Sequence, residues 1–127
     1  MPSSAYSDWL RQLPYPLDSR NYDNENLDYV FFHYREGWFI TMEEKQFGAR
    51  STMAQKDTHG IVAQLLTYAS QSSVKVETLR GKRSIEYRGH YEISFEKTSP
   101  NDGGLAINGQ PADEEKLIRL LTTGSAS

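Results

Sequence analysis

Two apolar runs dominate the first half of the chain: Asp28 to Tyr34 (DYVFFHY) and Trp38 to Lys45 (WFITMEEK), separated by Arg35-Glu36-Gly37. Both are rich in β-branched and aromatic residues and are bounded by turn formers, which predicts a β-hairpin. If Glu36-Gly37 forms a two-residue loop, Asp28 stands opposite Lys45 and Val30 opposite Glu43. Strand side chains alternate between faces, so Glu43 and Lys45 share one face roughly 6 to 7 Å apart while Glu44 points the other way. Asp28 joins the first pair in this register, and a one-residue slip would move it to the face of Glu44.

The pattern then changes period. Ser51 or Thr52 caps a predicted helix running to about Ala69, with Met53, Ala54, Ile61, Val62, Leu65 and Leu66 as its apolar stripe and Thr52 with Gln55 as a capping box. Upstream, Ser4 to Leu13 has Trp9, Leu10 and Leu13 at helical spacing and stops before Pro14, and Asp18 to Asn26 is an irregular connector. Downstream, Val74 to Leu79, Ile85 to Tyr87, His90 to Phe95 and Leu105 to Asn108 are strand candidates, separated by turn-rich segments such as residues 98–104. Asp113 caps a terminal helix whose Leu117, Ile118, Leu120 and Leu121 face inward, with Glu114 and Glu115 favourable to its dipole. Residues 122–127 read as a disordered tail. The succession of elements predicts a single α/β domain over residues 1–122, a mixed sheet flanked by helices, with 123–127 trailing from it.

Composition narrows the chemistry. The 127 residues suffice for one modest core, and the absence of cysteine excludes disulfides, zinc-thiolate sites and cysteine nucleophiles. The longest apolar run, Tyr29 to Phe32, is far too short for a membrane span, so a soluble, cytoplasmic protein is expected. A net charge of −3 argues against coating nucleic acid by bulk electrostatics. The charge is unevenly spread, however: Lys75, Arg80, Lys82, Arg83 and Arg88 face only Glu77 and Glu86 across residues 75–88, giving phosphate-contacting candidates or an ordinary solvated loop.

The candidate chemistry lies in Asp28, Glu43 and Lys45. Two carboxylates can hold a hard divalent cation that keeps open water positions, and an ammonium beside them can polarise a water or offset developing negative charge. The bland alternatives are a strand-start aspartate and an exposed, edge-protecting polar strand end. Gln55 serves either as the partner of Thr52 in the cap or as a site residue. His59, one turn further along the helix, could face the same cleft; His33 reads as a packed strand residue, and His90 as a phosphate contact. Three histidines so dispersed do not suggest zinc. Arg50, in the loop entering the helix, is a candidate phosphate ligand.

At these residues the chain resembles the PD-(D/E)xK nuclease superfamily. Asp28 matches its metal-binding aspartate, Glu43 and Lys45 its (D/E)xK, and Gln55 a glutamine found on the following helix in several branches. The proline before the aspartate is replaced by Leu27. The resemblance spans roughly residues 4–75 and implies a restriction-endonuclease-like core; beyond it, the segment from Tyr87-Arg88-Gly89 through residues 98–103 to Glu114-Glu115 is similar to small phage-type and bacterial members. It implies Mg2+ or Mn2+ held by Asp28, Glu43 and the carbonyl of Glu44, with Lys45 and Gln55 completing the catalytic set. It further implies DNA as substrate and a homodimer for cutting two strands, with the basic residues Arg50, Lys82, Arg83 and Arg88 as the candidate contacts. The rival expectation is a noncatalytic interaction module or subunit of a nucleic-acid-processing complex.

Overall fold

The strand WFITMEEK is buried along almost its whole length, and that sets it at the centre of the sheet. In the computed structural model, which describes residues 5, 9, 12, 27–72 and 75–126, the elements are β1 (Tyr29–His33), β2 (Trp38–Lys45), α1 (Met53–Ser70), β3 (Val76–Thr78), β4 (Gly81–Arg83), β5 (Glu86–Ser94), β6 (Ala106–Ile107), β7 (Gln110–Pro111) and α2 (Glu114–Thr123). The expected helix at Ser4 to Leu13 and the connector after it fall almost wholly outside the described residues. Among those residues, a sheet runs in the order β1-β2-β5-β6-β7, and β3 and β4 form a separate two-stranded ribbon. β1 and β2 are antiparallel, β2 and β5 parallel, and β6 and β7 complete an antiparallel edge. The parallel pair requires a crossover, which α1 supplies. The molecule is thus a small mixed α/β domain.

The hairpin register differs from the expectation. Tyr29 pairs with Met42 and His33 with Trp38, and continuing the ladder one step sets Asp28 across from Glu43 rather than Lys45. A two-residue type I′ loop needs both central residues at positive φ, and Glu36 is not among the residues that adopt it. The chain instead uses the four residues 34–37, closed by a 2.9 Å bond from the Gly37 amide to the His33 carbonyl. The slip is two residues, not one, so every side chain stays on its expected face.

The two sheet faces have opposite chemistry. Trp38, Ile40 and Met42 of β2 join Ile93, Phe95, Leu105, Ile107 and Leu120 in the apolar core, with Leu117 and Leu121 of α2 packed against it. Ile118, expected inside, is half exposed. The other face carries Thr41, Glu43 and Lys45 beside His90, Glu92 and Ser94, and α1 lies over it. This polar floor explains why α1 does not bury the expected stripe: Val62 and Leu66 turn inward, whereas Met53, Ile61 and Leu65 are exposed. Its inner edge over the first turns is Gln55 and His59.

Three further expectations change. Ile85 to Tyr87 and His90 to Phe95 belong to one strand, β5, and the ladder with β2 slips between Phe39 and Thr41, where Gly89 sits at φ 112°. The short strand expected within Val74 to Leu79 pairs outside the main sheet and is exposed. Residues 123–126 pack against the domain rather than trailing from it: Gly124 caps α2 in the left-handed region, the Arg88 guanidinium donates to the Thr123 carbonyl at 2.7 Å, and Ala126 packs on the core. A side chain at Gly124 would meet Arg88 and Trp38, which accounts for the glycine.

Candidate functional site

β2 and α1 meet with matched spacing. Residues 43 and 45 stand two apart on one strand face, about 6.6 Å, and residues 55 and 59 stand one turn apart on a helix, about 6 Å. The helix therefore delivers one contact to each strand residue. Gln55 Oε1 accepts from Lys45 Nζ at 3.1 Å, and His59 Nε2 faces Glu43 Oε1 at 3.4 Å. Glu43, Lys45 and His59 are only 3%, 8% and 5% exposed.

Gln55 is the capping-box partner of Thr52 and at the same time the acceptor for Lys45. The same Oε1 that receives the lysine also accepts the Thr52 backbone N–H at 3.0 Å, while Thr52 Oγ1 accepts the Gln55 amide at 3.1 Å. The capping box and the lysine thus share one acceptor.

Asp28 closes the site from the β1 side. Its Oδ2 accepts the Glu44 amide at 2.9 Å, and its own amide donates to Glu43 Oε1 at 3.3 Å. Its Oδ1 is buried without a hydrogen-bond partner among the described residues. Burial pushes the Glu43 carboxyl up to about 7, followed by the negative charge of Asp28 and a hydrogen bond to its side chain, with Lys45 opposing. The Glu43 carboxyl is thus about half protonated near neutral pH.

This shift has a stability consequence. A carboxyl raised above its ordinary 4.5 is protonated in the folded chain while already ionised in the unfolded one, so its contribution is complete below about pH 4.5 and is lost as pH rises through about 7. Without added cations, urea denaturation should show wild-type stability declining across that window, and Glu43→Gln should flatten the decline. An undiminished slope in Glu43→Gln would remove Glu43 as its source.

The polar face continues past Glu43. The rings of His59 and His90 lie 5.0 Å apart, and Thr41 Oγ1 bonds both His90 Nδ1 and the Tyr87 hydroxyl at 2.8 Å. Burial and then the neighbouring His59 hold the His90 imidazole below its usual range. Beyond His90, Glu92 Oε2 accepts from Ser51 Oγ at 2.5 Å. Thr41, Ser51 and Glu92 are not among the residues expected at the site. The available signal was periodic: 41, 43 and 45 on one strand and 90, 92 and 94 on another are polar at every second position.

The remaining sequence candidates disperse. Glu44 turns its carboxylate away, toward the Tyr29 hydroxyl at 3.1 Å and the Gln46 amide at 3.1 Å. Arg50 is exposed at the mouth of a cleft beside α1. Lys82 and Arg83 lie on the ribbon that follows the C-terminal end of α1, whereas Glu43 and Lys45 adjoin its N-terminal end. Arg83 donates to the Tyr34 carbonyl at 2.7 Å. Arg88 stacks over Trp38 at 5.0 Å on the apolar side of the sheet and bonds Glu86, so it serves the fold. The structure therefore brings Asp28, Glu43, Lys45 and Gln55 together and does not bring Lys82, Arg83 or Arg88 to them.

Among the described residues, no three His, Cys, Asp or Glu side chains are grouped so as to hold an ion. Any cation here would rest on the Asp28 and Glu43 carboxylates with main-chain help. No helix among those residues is long and apolar enough to cross a membrane. No protein-family model, no curated protein and no solved structure matches this chain.

Proposed function

We propose that the chain is a divalent-cation-dependent phosphodiesterase acting on DNA, built on a restriction-endonuclease-like core of hairpin, crossing helix and parallel strand. The observation that carries this reading is the convergence of Asp28, Glu43 and Lys45 at the C-terminal end of β2, with Asp28 Oδ1 buried and without a donor among the described residues. An unpaired buried carboxylate oxygen is costly unless something positive arrives to meet it. Within a strand, a residue's N–H and C=O leave on the same edge, so the Glu44 carbonyl lies on the edge where its amide meets Asp28. Two carboxylates and that carbonyl form an all-oxygen donor set suited to Mg2+ or Mn2+.

In this reading Asp28 and Glu43 bind the cation and Glu44 contributes its carbonyl. Bound there, a divalent ion would supply the positive charge that activates a water and offsets charge at the phosphorus. Lys45, its ammonium fixed by Gln55, donates to the attacking water or to a non-bridging phosphate oxygen. Gln55 holds that ammonium in place without using its own chemistry on the substrate. A homodimer would provide one site for each strand of a duplex.

A second reading is favoured by the near-complete burial of Glu43 and Lys45: an internal ion cluster in a noncatalytic binding module. Metal response separates the two. At a Mn2+ concentration 100 times its dissociation constant, a working site gains about 2.7 kcal/mol of stability. Wild-type protein should therefore melt several degrees higher with Mn2+ and cut plasmid DNA, and Asp28→Asn should lose both responses. Binding should also strengthen with rising pH and level off above about 7, because the ion displaces the proton held by Glu43. Equal melting of wild type with and without Mn2+, and no cutting, would favour the ion cluster.

A further inference from the structure

A cleft of about 600 Å3 opens between the first half of α1 and the β5–β6 side of the sheet, next to the Glu43 group and sharing His59 with it. Beside His59, His90 and Phe95, its lining includes small residues on both sides: Gly60 and Ala63 from α1, and Ala106 and Gly109 opposite. Small residues facing each other leave a slot suited to a flat ring. Its volume suits a nucleotide-sized ligand.

The floor of the slot is a carboxylate held in a set position. Glu92 is fixed through its side chain by Ser51 Oγ. Its backbone is fixed by Asn108, whose Oδ1 accepts the Glu92 amide at 2.8 Å and whose own amide donates to the Glu92 carbonyl at 2.8 Å. Asn108 makes both bonds from a left-handed conformation, φ 52°. Ser51 engages Oε2, and Glu92 Oε1 has no hydrogen-bond partner among the described residues. At the mouth stand two exposed cations, Arg50 and Lys56, against one exposed carboxylate, Glu96. An acidic floor below a basic rim matches a nucleotide, whose base offers N–H donors and whose phosphate is anionic.

We propose that this cleft receives an unpaired guanine base of the DNA strand, read by Glu92, with Arg50 and Lys56 on the adjoining phosphates. The assignment rests on the phosphodiesterase reading for its choice of DNA. An ionised carboxylate only accepts hydrogen bonds. Guanine presents a ring N–H and an amino group side by side on its pairing edge. Adenine and cytosine set one amino group beside a ring acceptor that a carboxylate repels, and thymine sets one N–H between two carbonyls. Enzymes that take a base out of the stack read this same edge. Glu92 pairs with Glu43 across the parallel strands, so a base held by Glu92 lies about one strand spacing from Glu43.

The test is binding without cutting. Fluorescence polarisation in EDTA should compare labelled single-stranded oligothymidine with the same strand carrying one central guanine. Wild type should favour the guanine strand on the order of tenfold. Glu92→Gln and Glu92→Ala should abolish the preference, whereas Arg50→Ala/Lys56→Ala should weaken both strands alike. Equal binding of the two strands by wild type, a preference that survives in both Glu92 variants, or no binding of either strand would overturn the assignment. The Mn2+ response of Asp28→Asn judges the hydrolase reading separately.

Discussion

Replacing Lys45 by methionine should lower the DNA cleavage rate by about 10² to 10³, equivalent to roughly 3 to 4 kcal/mol of transition-state stabilisation. Methionine keeps most of the aliphatic stem and removes the ammonium. The fold should tolerate the change, because Gln55 Oε1 retains its bond from the Thr52 amide after the lysine is gone. The loss should appear in single-turnover rates at saturating Mn2+, with circular dichroism and melting temperature close to wild type. Lys45→Arg should rescue little, since a planar guanidinium does not fit a site built around one Nζ–Oε1 contact. Full cutting by Lys45→Met would remove the lysine from the mechanism.

Trp38→Ala should cost about 3 to 5 kcal/mol, among the largest stability losses available to this chain. Trp38 is completely buried. It stacks on His33 at 5.3 Å, lies under the Arg88 guanidinium at 5.0 Å and donates its indole N–H to Glu36 at 3.1 Å. Gly124 packs against the same ring. The indole therefore ties the hairpin turn, β5 and the end of α2 into one block. A domain of this size has about 5 to 15 kcal/mol in total, so chemical denaturation should show a markedly lower midpoint. Trp38→Phe should recover part of the loss, and a midpoint for Trp38→Ala near wild type would show that the block is held by something else.

How much was legible in the chain depended on which physical rule governed each feature. The shared face of Asp28, Glu43 and Lys45 could be read because side-chain parity survives a two-residue error in register. The register itself could not, since it turned on the φ of Glu36 in the loop. The existence of α1 followed from its capping box, but its inner face did not. Hydrophobic periodicity presumes an apolar neighbour, and α1 rests partly on Thr41, Glu43 and His90, so His59 and Gln55 turn inward while Ile61 and Leu65 turn out. The docking of residues 123–126 depends on Arg88 and Trp38, far away in the sequence and invisible to local composition. Arg88 looked available for phosphate for the same reason: its partners lie on other elements. Glu92 was hidden because its hydroxyl partner, Ser51, comes from a loop 41 residues earlier.

The oxygen shared by Thr52 and Lys45 links two events that are usually independent. Transient opening of the first helical turn withdraws the Gln55 amide group and so releases the lysine at the same moment. Helix ends open more readily than whole domains. Catalytic competence should consequently fade on warming before the bulk structure melts, and a stronger N-cap would widen the working temperature range without touching the reacting groups.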